Sequence, residues 1–268
     1  MRRLTAGPWV GEFGWELMSW QGLVRRAAER YEEVWVCGPA GHEALYADLR
    51  MQYIPINPVG TKDCWRITPD PSFDYASTMN MLRKWNGDLL VPHGCVPMTG
   101  QAFIPFGNPK NLTEDERFDV VVHARKPVGR WPNRAWPPDQ WKKLLELLVA
   151  KNYKVAAIGT EAYMPAGARM YHANPLSKDM DLLAGARIAV GPSSGPMHLA
   201  SLCKCPHVVW TDKQFFSAIW ANNRERYEKV WNPLKTPCLV LDDQGWNPTP
   251  EHVFEAIQKG LDKWPRQA

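Results

Sequence analysis

The sequence predicts an α/β protein made of two Rossmann-like domains facing across a cleft, and three observations carry that expectation. At 268 residues and 45% hydrophobic content, the chain is long enough for two cores of roughly 100 to 150 residues each. One strand–helix–strand series begins at Leu4 and a second at Phe118. Between them, Thr99 to Phe118 carries proline, glycine and asparagine without periodicity, as a linker does. The implied division is residues 1–112 for a first domain, 113–248 for a second, and 249–268 for a C-terminal helix able to pack back on the first.

Leu4–Thr5–Ala6 reads as a short first strand. The glycine-punctuated loop Gly7 to Gly14 follows, and Trp15 to Arg30 has helical apolar spacing. Glu33 to Cys37 reads as a second strand. The chain therefore opens with a βαβ unit, which predicts a parallel sheet with ligands at the C-terminal strand ends. A helix is expected over Ala40 to Asp48, while Met51 to Thr99 mixes short strands with prolines and includes Asp88 to Val91. The second series comprises a strand from Phe118 to His123, a basic and proline-rich loop, a helix from Pro138 to Lys151 and a strand from Lys154 to Ile158. A helix around Lys178 to Ala184, a strand from Ala186 to Val190, a small-residue loop and a strand from Pro206 to Trp210 complete it. From Thr249 to Lys263, Val253, Ile257 and Leu261 share one helical face, with Thr249 or the residue before it as cap.

Net charge is +4, a mild excess that suits anionic substrates and falls short of the dense basic runs of a dedicated nucleic-acid binder. The six cysteines are scattered, and the one close pair, Cys203 and Cys205, has the wrong spacing for paired zinc ligands. Reduced, mostly buried thiols are expected. The first residues lack a signal-peptide core, and no run of about 18 apolar residues occurs, so a soluble cytoplasmic protein without a transmembrane segment is expected. The 14 tryptophans are many for this length and are assigned to packing, with a few open to base or sugar stacking.

The most informative segment runs from Gly191 to Leu202. It follows a buried strand and feeds through Ser193, Ser194 and Gly195 into a helix start. The first N–H groups of that helix lack internal partners and its dipole is positive there, so a phosphate can approach closely. Met197 and His198 lie on the first turn, with His198 facing the same place. A nucleoside diphosphate fits this arrangement better than an apolar ligand does.

The second half resembles the family 9 glycosyltransferases, which include the lipopolysaccharide heptosyltransferases. The resemblance rests on a strand ending Val122–His123–Ala124–Arg125–Lys126, on Arg134 before Trp136–Pro137 at a helix start, and on Ile158–Gly159–Thr160–Glu161. The strongest match is Ser193–Ser194–Gly195–Pro196–Met197–His198–Leu199–Ala200, similar to the family's Asp-Ser-Gly-Pro-Met-His-Leu-Ala. Thr249–Pro250–Glu251–His252–Val253 is similar to the usual start of the terminal helix, and the resemblance spans about residues 118 to 262. In the first half, Gly11–Glu12 stands where the family has a Gly-Asp pair whose aspartate is its general base. Glu12 replaces that aspartate, and Ser193 replaces the aspartate of the second motif.

The resemblance implies a GT-B fold and an inverting, metal-independent glycosyltransferase. Its co-substrate would be a nucleotide-diphosphate sugar, its acceptor a saccharide hydroxyl, with no permanently bound cofactor. It implies donor contacts from Arg125, Lys126, Arg130, Arg134, Gly159, Thr160, Glu161, Ser193, Ser194, Gly195, Met197 and His198. Sugar transfer needs a proton acceptor for the hydroxyl and positive groups for the departing diphosphate. Glu12 is the proposed base, flanked by the acceptor-side loop residues Gly11, Phe13 and Gly14; the same placement would also suit a carboxylate that stabilises a helix N-terminus. His42, His93 and His123 are ranked below it. No Asp-x-Asp pair falls on a loop beside the expected diphosphate, and Asp242–Asp243 lies late in the chain, so no metal is expected. Alternatives are a phage-type DNA glycosyltransferase acting on hydroxymethylated bases, a nucleotide-sugar epimerase or hydrolase, and a non-catalytic nucleotide-binding module.

Overall fold

The computed structural model describes residues 2–57, 61–63, 68–69, 73–85, 87–92, 100–125, 132–159, 168–171, 174–214 and 221–264. The chain divides into two compact units, Met1–Phe103 and Ile104–Ala268. Among the described residues, no helix is long and apolar enough to cross a membrane.

The first unit contains a parallel sheet of β1 (Arg3–Ala6), β2 (Glu33–Pro39), β3 (Met51–Ile56) and β6 (Asp88–Leu90) in the order β3-β2-β1-β6. A short antiparallel pair, β4 (Thr61–Asp63) and β5 (Thr68–Pro69), stands apart from it. Leu4, Thr5 and Ala6 are all buried, as a central parallel strand covered on both faces requires. Helix α1 (Phe13–Trp15) runs through a π-helical stretch (Glu16–Trp20) into α2 (Gln21–Ala28). Its inner side is filled by Trp15, Leu17, Met18, Trp20 and Val24, with Trp20 stacked on Trp9 at 5.9 Å. Tryptophan is thus a packing residue here, as expected. Arg25, buried on α2, donates to both carboxylate oxygens of Asp48 at 2.7 and 2.8 Å and to the Leu45 carbonyl at 2.9 Å. One departure from expectation lies in the segment these bonds tie down: residues 40–48 form only a 3₁₀ turn, Glu43–Tyr46, in place of a helix. A second departure is α3 (Tyr75–Lys84), which the prolines around it concealed although its cap is conventional, with Asp74 accepting from the Ser77 N–H at 2.9 Å.

The second unit is a six-stranded parallel sheet in the order β12-β11-β10-β7-β8-β9. Its strands are β7 (Val120–Val122), β8 (Val155–Ile158), β9 (Arg169–Tyr171), β10 (Ile188–Pro192), β11 (His207–Trp210) and β12 (Cys238–Leu241). The helices are α4 (Pro138–Ala150), α5 (Leu176–Gly185), α6 (Gly195–Leu202), α7 (Asn223–Arg226), which continues as a π-helical stretch (Tyr227–Trp231), and α8 (Pro250–Lys263). Trp136, Trp141 and Trp210 meet with centroids 4.9 to 5.7 Å apart, and the Trp136 indole N–H donates to the Pro248 carbonyl at 2.9 Å. Thr249 caps α8 by accepting from the His252 N–H at 3.3 Å. Val253, Ile257 and Leu261 lie within the core cluster that includes Val120, Ile188 and Val208. The apolar face of α8 therefore packs on the sheet of its own unit.

Both sheets reverse direction once. In the first unit the chain moves outward from β1 through β2 to β3 and returns to place β6 on the other side of β1. In the second it moves from β7 through β8 to β9 and returns to β10, which sits between β7 and β11. The crevice above the C-terminal ends of the strands at such a reversal is where open parallel sheets bind ligands. That rule singles out the loops after β1, β7 and β10.

Candidate functional site

In the second unit the loop after β10 is Ser193–Ser194, leading into α6. The Ser193 N–H donates to the Trp210 carbonyl at 2.9 Å, which ties the loop to β11. Ser194 is the N-cap residue, in extended conformation, and its carbonyl accepts from the His198 N–H at 3.0 Å. Pro196 supplies no donor, so the first-turn N–H groups without an intrahelical acceptor are those of Gly195 and Met197. The Ser194 hydroxyl and both ring nitrogens of His198 are buried without a hydrogen-bond partner among the described residues. Buried polar atoms are almost always paired, so three such atoms at one helix N-terminus make this the candidate place for a polar ligand.

His198 lies flat on Trp231, centroids 4.5 Å apart and planes 5° from parallel, and also contacts Tyr227, whose hydroxyl donates to the Met197 carbonyl at 3.2 Å. Burial, and then the guanidinium charges of Arg226 and Arg134, hold its pKa well below the usual histidine value. The ring is neutral at pH 7, so the positive charge here comes from the two arginines and the helix dipole. Arg226 sits 4.9 Å over the Trp231 ring and Arg134 4.6 Å over the Trp246 ring. The sequence reading missed Arg226. Its signal was present: Asn222 caps the helix by accepting from the Glu225 N–H at 2.8 Å, and Tyr227, Val230 and Trp231 then follow at helical spacing.

The loop after β7 brings His123 and Arg125 to the same reversal point. His123 Nδ1 meets the Ile158 carbonyl at 3.3 Å, burial pushes its pKa down to about 4, and the Arg125 charge adds to that. Arg125 is half-buried, and its Nε has no partner among the described residues. Gly159, just after β8, has φ +105°, a backbone conformation that favours glycine. Lys126, Arg130, Thr160 and Glu161 lie outside the described residues.

His123, His198 and His207 give this unit a dependence on acid. All three are buried, with the pKa of His207 also lowered to about 4 by burial. Their folded pKa values lie below the value of about 6.5 for an exposed ring, so on acidification the unfolded chain takes up protons first. The stability contributed by burying neutral rings is present above pH ~6.5 and is lost as pH falls through that value. His123 and His207, each lowered to about 4, each account for about 2 kcal/mol between pH 7 and 5, and His198 acts in the same direction. Urea titrations at the two pH values are expected to show a loss of several kcal/mol, with His207→Gln reducing that loss by about 2 kcal/mol. Unchanged stability over this range would contradict the assignment.

In the first unit the loop after β1 holds Gly11, Glu12, Phe13 and Gly14, the residues that the sequence reading expects on the acceptor side. Gly11 packs so closely on Trp9 that a Cβ would stand 2.6 Å from its ring, so only glycine fits. Glu12 is the N-cap residue of α1, and its carbonyl accepts from Trp15 and Glu16 at 3.1 and 3.0 Å. Phe13 and Gly14 form the first turn, and the Phe13 ring meets the edge of His42 at 5.3 Å. One turn beyond Glu12 is Glu16, fully buried, which the sequence reading passed over. Its Oε1 accepts from the Tyr46 hydroxyl at 3.0 Å and its Oε2 from His42 Nδ1 at 2.6 Å. Nothing local in the sequence links Glu16 to His42, 26 positions away. His93 lies outside the described residues.

Among the described residues, no three His, Cys, Asp or Glu side chains gather to hold a metal ion. Asp242 is paired with Arg224 and Asp243 with His252. Asp179–Met180–Asp181 has Asp-x-Asp spacing on α5, but Asp181 accepts from Asn108 and Asn111, at 2.7 and 2.9 Å. Cys37, Cys203 and Cys205 are buried free thiols and Cys238 a half-buried one.

Two open parallel sheets, each with one reversal among the described residues, match the GT-B architecture. Solved structures of that architecture are similar to this chain along nearly its whole length. Heptosyltransferase II of E. coli matches with TM-score 0.59 and 16% identity over 98% of this chain and 99% of that one. The E. coli heptosyltransferase WaaC with ADP matches with TM-score 0.58 and 12% identity over 97% and 100%. A family 9 glycosyl transferase from Veillonella parvula matches with TM-score 0.62 and 10% identity over 98% and 97%. No family model and no curated protein sequence matches the chain. At these identities the likeness establishes the fold.

Proposed function

We propose that the protein is a glycosyltransferase that moves a sugar from a nucleotide-diphosphate sugar to an acceptor hydroxyl, with inversion and without a metal. The observation that carries this reading is the N-terminus of α6. Two first-turn amides, the unpaired Ser194 and His198 and the charges of Arg134 and Arg226 converge at the reversal between β7 and β10. Charge on the diphosphate grows as the glycosidic bond breaks, and a helix dipole with arginines can stabilise it without a cation. Arg125 joins this donor site, and Lys126, Arg130, Gly159, Thr160 and Glu161 are its further candidate members. On the acceptor side Glu12, with Gly11, Phe13 and Gly14, meets the incoming hydroxyl. A single displacement opposite the departing diphosphate inverts the anomeric carbon. A saccharide acceptor fits the heptosyltransferase neighbours; no observation favours DNA.

The test is a thermal-shift panel with ADP, UDP, GDP, CDP and TDP and their sugar conjugates, with Mg²⁺ or with EDTA. At a hundredfold excess over Kd, a ligand bound only to the folded state adds about 2.7 kcal/mol. One nucleoside diphosphate, with ADP first in line because WaaC was solved with it, is expected to stabilise equally in both buffers. Stabilisation only with Mg²⁺ would remove the metal-independent mechanism, and no stabilisation by any of them would remove the donor site. Turnover of the conjugate with no acceptor present would favour a hydrolase or epimerase.

A further inference from the structure

Glu16 and His42 are left unused by this reading, yet they stand beside Glu12. His42 lies just beyond the C-terminal end of β2, where its N–H donates to the Pro39 carbonyl at 3.1 Å. Glu16 reaches the same end of β2, its Oε1 being 3.8 Å from where a Cβ on Gly38 would lie. The side chain of Glu16 is 0% exposed and that of His42 24%. A carboxylate out of water is costly unless both oxygens are bonded, and here the Tyr46 hydroxyl takes one and His42 Nδ1 the other. This fixes Nδ1 as the protonated nitrogen of the neutral ring and leaves Nε2 for chemistry, on a ring whose orientation is held by Glu16 and by the Phe13 edge. A histidine aimed by a buried carboxylate is the arrangement that makes imidazole an effective general base.

Resting on the glycosyltransferase reading, we propose that His42, positioned by Glu16, is the group that takes the proton from the acceptor hydroxyl, with Glu12 orienting that hydroxyl. The acceptor O–H proton passes to His42 Nε2 as the oxygen bonds to the anomeric carbon. The bond from that carbon to the donor phosphate breaks, its electron pair leaving with the nucleoside diphosphate. The imidazolium, balanced by Glu16, then loses its proton to solvent. Glu16 is a positioning residue and His42 a catalytic one.

The surroundings of His42 give a signature that a packing role would not. Burial alone would lower its pKa, but the charge and hydrogen bond of Glu16, and the charge of Glu43, outweigh burial and raise it. The other groups facing the pair are the Tyr46 hydroxyl, bonded to Glu16, and the Tyr53 hydroxyl, which donates to the Pro39 carbonyl and whose own pKa is raised by burial and then by Glu16, Glu43 and Cys37. Arg25 lies behind Tyr46 and is paired with Asp48. A base must be deprotonated to act, so activity rises with pH through the pKa of His42. The acid limb of kcat/KM is expected above the ordinary histidine value of about 6.5, and Glu16→Gln, by removing the negative charge, moves it to lower pH.

Transfer is measured on the full chain with the nucleotide sugar identified by the thermal-shift panel and a saccharide acceptor, alongside the Kd of the nucleoside diphosphate for each variant. His42→Gln is expected to lower kcat by about 10²- to 10⁴-fold with that Kd unchanged, and His42→Ala to regain activity with added imidazole. Glu12→Gln, still able to hydrogen bond, is expected to stay within about tenfold of the parent. The proposal is overturned if Glu12→Gln is as inactive as Glu12→Ala while His42 variants stay within about threefold; the base is then Glu12 and the glycosyltransferase reading stands. It is also overturned if Glu16→Gln leaves the acid limb in place. A parent protein that binds the nucleotide but transfers no sugar overturns the functional reading and this proposal together.

Discussion

Replacing Arg134 and Arg226 together by alanine is expected to weaken binding of the nucleoside diphosphate by about two to three orders of magnitude and to lower kcat/KM by at least as much. Each guanidinium that reaches a phosphate oxygen makes a charge-assisted bond worth about 1.5–3 kcal/mol, and the loss is largest when both go, because either one alone still neutralises part of the diphosphate. Both charges act on His198, so both lie near the N-terminus of α6. The variant carries a second, independent readout. With the guanidinium charges removed, the pKa of His198 is expected to rise toward the ordinary histidine range while remaining held down by burial, a shift that the ring's NMR resonances report. Isothermal titration gives the first quantity; a Kd within about threefold of the parent would separate these arginines from the phosphates. Because both stack on tryptophans, lysine at either position is expected to be a poor substitute, supplying charge without the planar fork.

Glu12→Ala is expected to lower kcat/KM for the acceptor by about two orders of magnitude while leaving the Kd of the nucleoside diphosphate within about threefold. The separation follows from topology. Glu12 belongs to the loop after β1 and Ser194 and His198, proposed to receive the diphosphate, to the loop after β10 and the helix it opens, in different units with different cores. A glutamate acting only to stabilise a helix start would, when removed, lower Tm by the equivalent of about 0.5–1 kcal/mol and leave transfer near normal. Steady-state kinetics against acceptor concentration, with a melting curve of the same preparation, distinguishes the two results. Equal loss of nucleotide binding would overturn the assignment of Glu12 to the acceptor.

What the sequence made legible follows from how local each signal is. The strand–loop–helix at Ile188 to Leu202 could be recognised because a buried apolar run, small residues and a helix start are contiguous, and the structure has β10, Ser193–Ser194 and α6 there. The cap and apolar face of α8 were legible for the same reason, but not the destination of that face, which is a tertiary fact. Helix α3 was obscured because only Met79 and Leu82 among its residues are buried, leaving a weak periodicity between proline-bearing segments. Arg226 escaped notice because its importance comes from Trp231 and His198, the latter 28 positions earlier in the chain. The Glu16–His42 pair is the limiting case, since two ordinary residues acquire meaning only when β2 brings the turn after it over the first helix.

Both candidate sites are built on a helix that carries one residue too many for a regular α-helical ladder. The stretch Glu16–Trp20 begins with the carboxylate that holds His42, and the stretch Tyr227–Trp231 holds both aromatic rings that contact His198. Each residue of an α-helix advances the phase by about 100°, so a single extra residue resets which side of the helix everything downstream presents. Deleting one residue from either stretch would regularise the hydrogen-bond ladder while turning the side chains of that candidate site away from their partners, so the two sheets would survive a change that dismantles the arrangement.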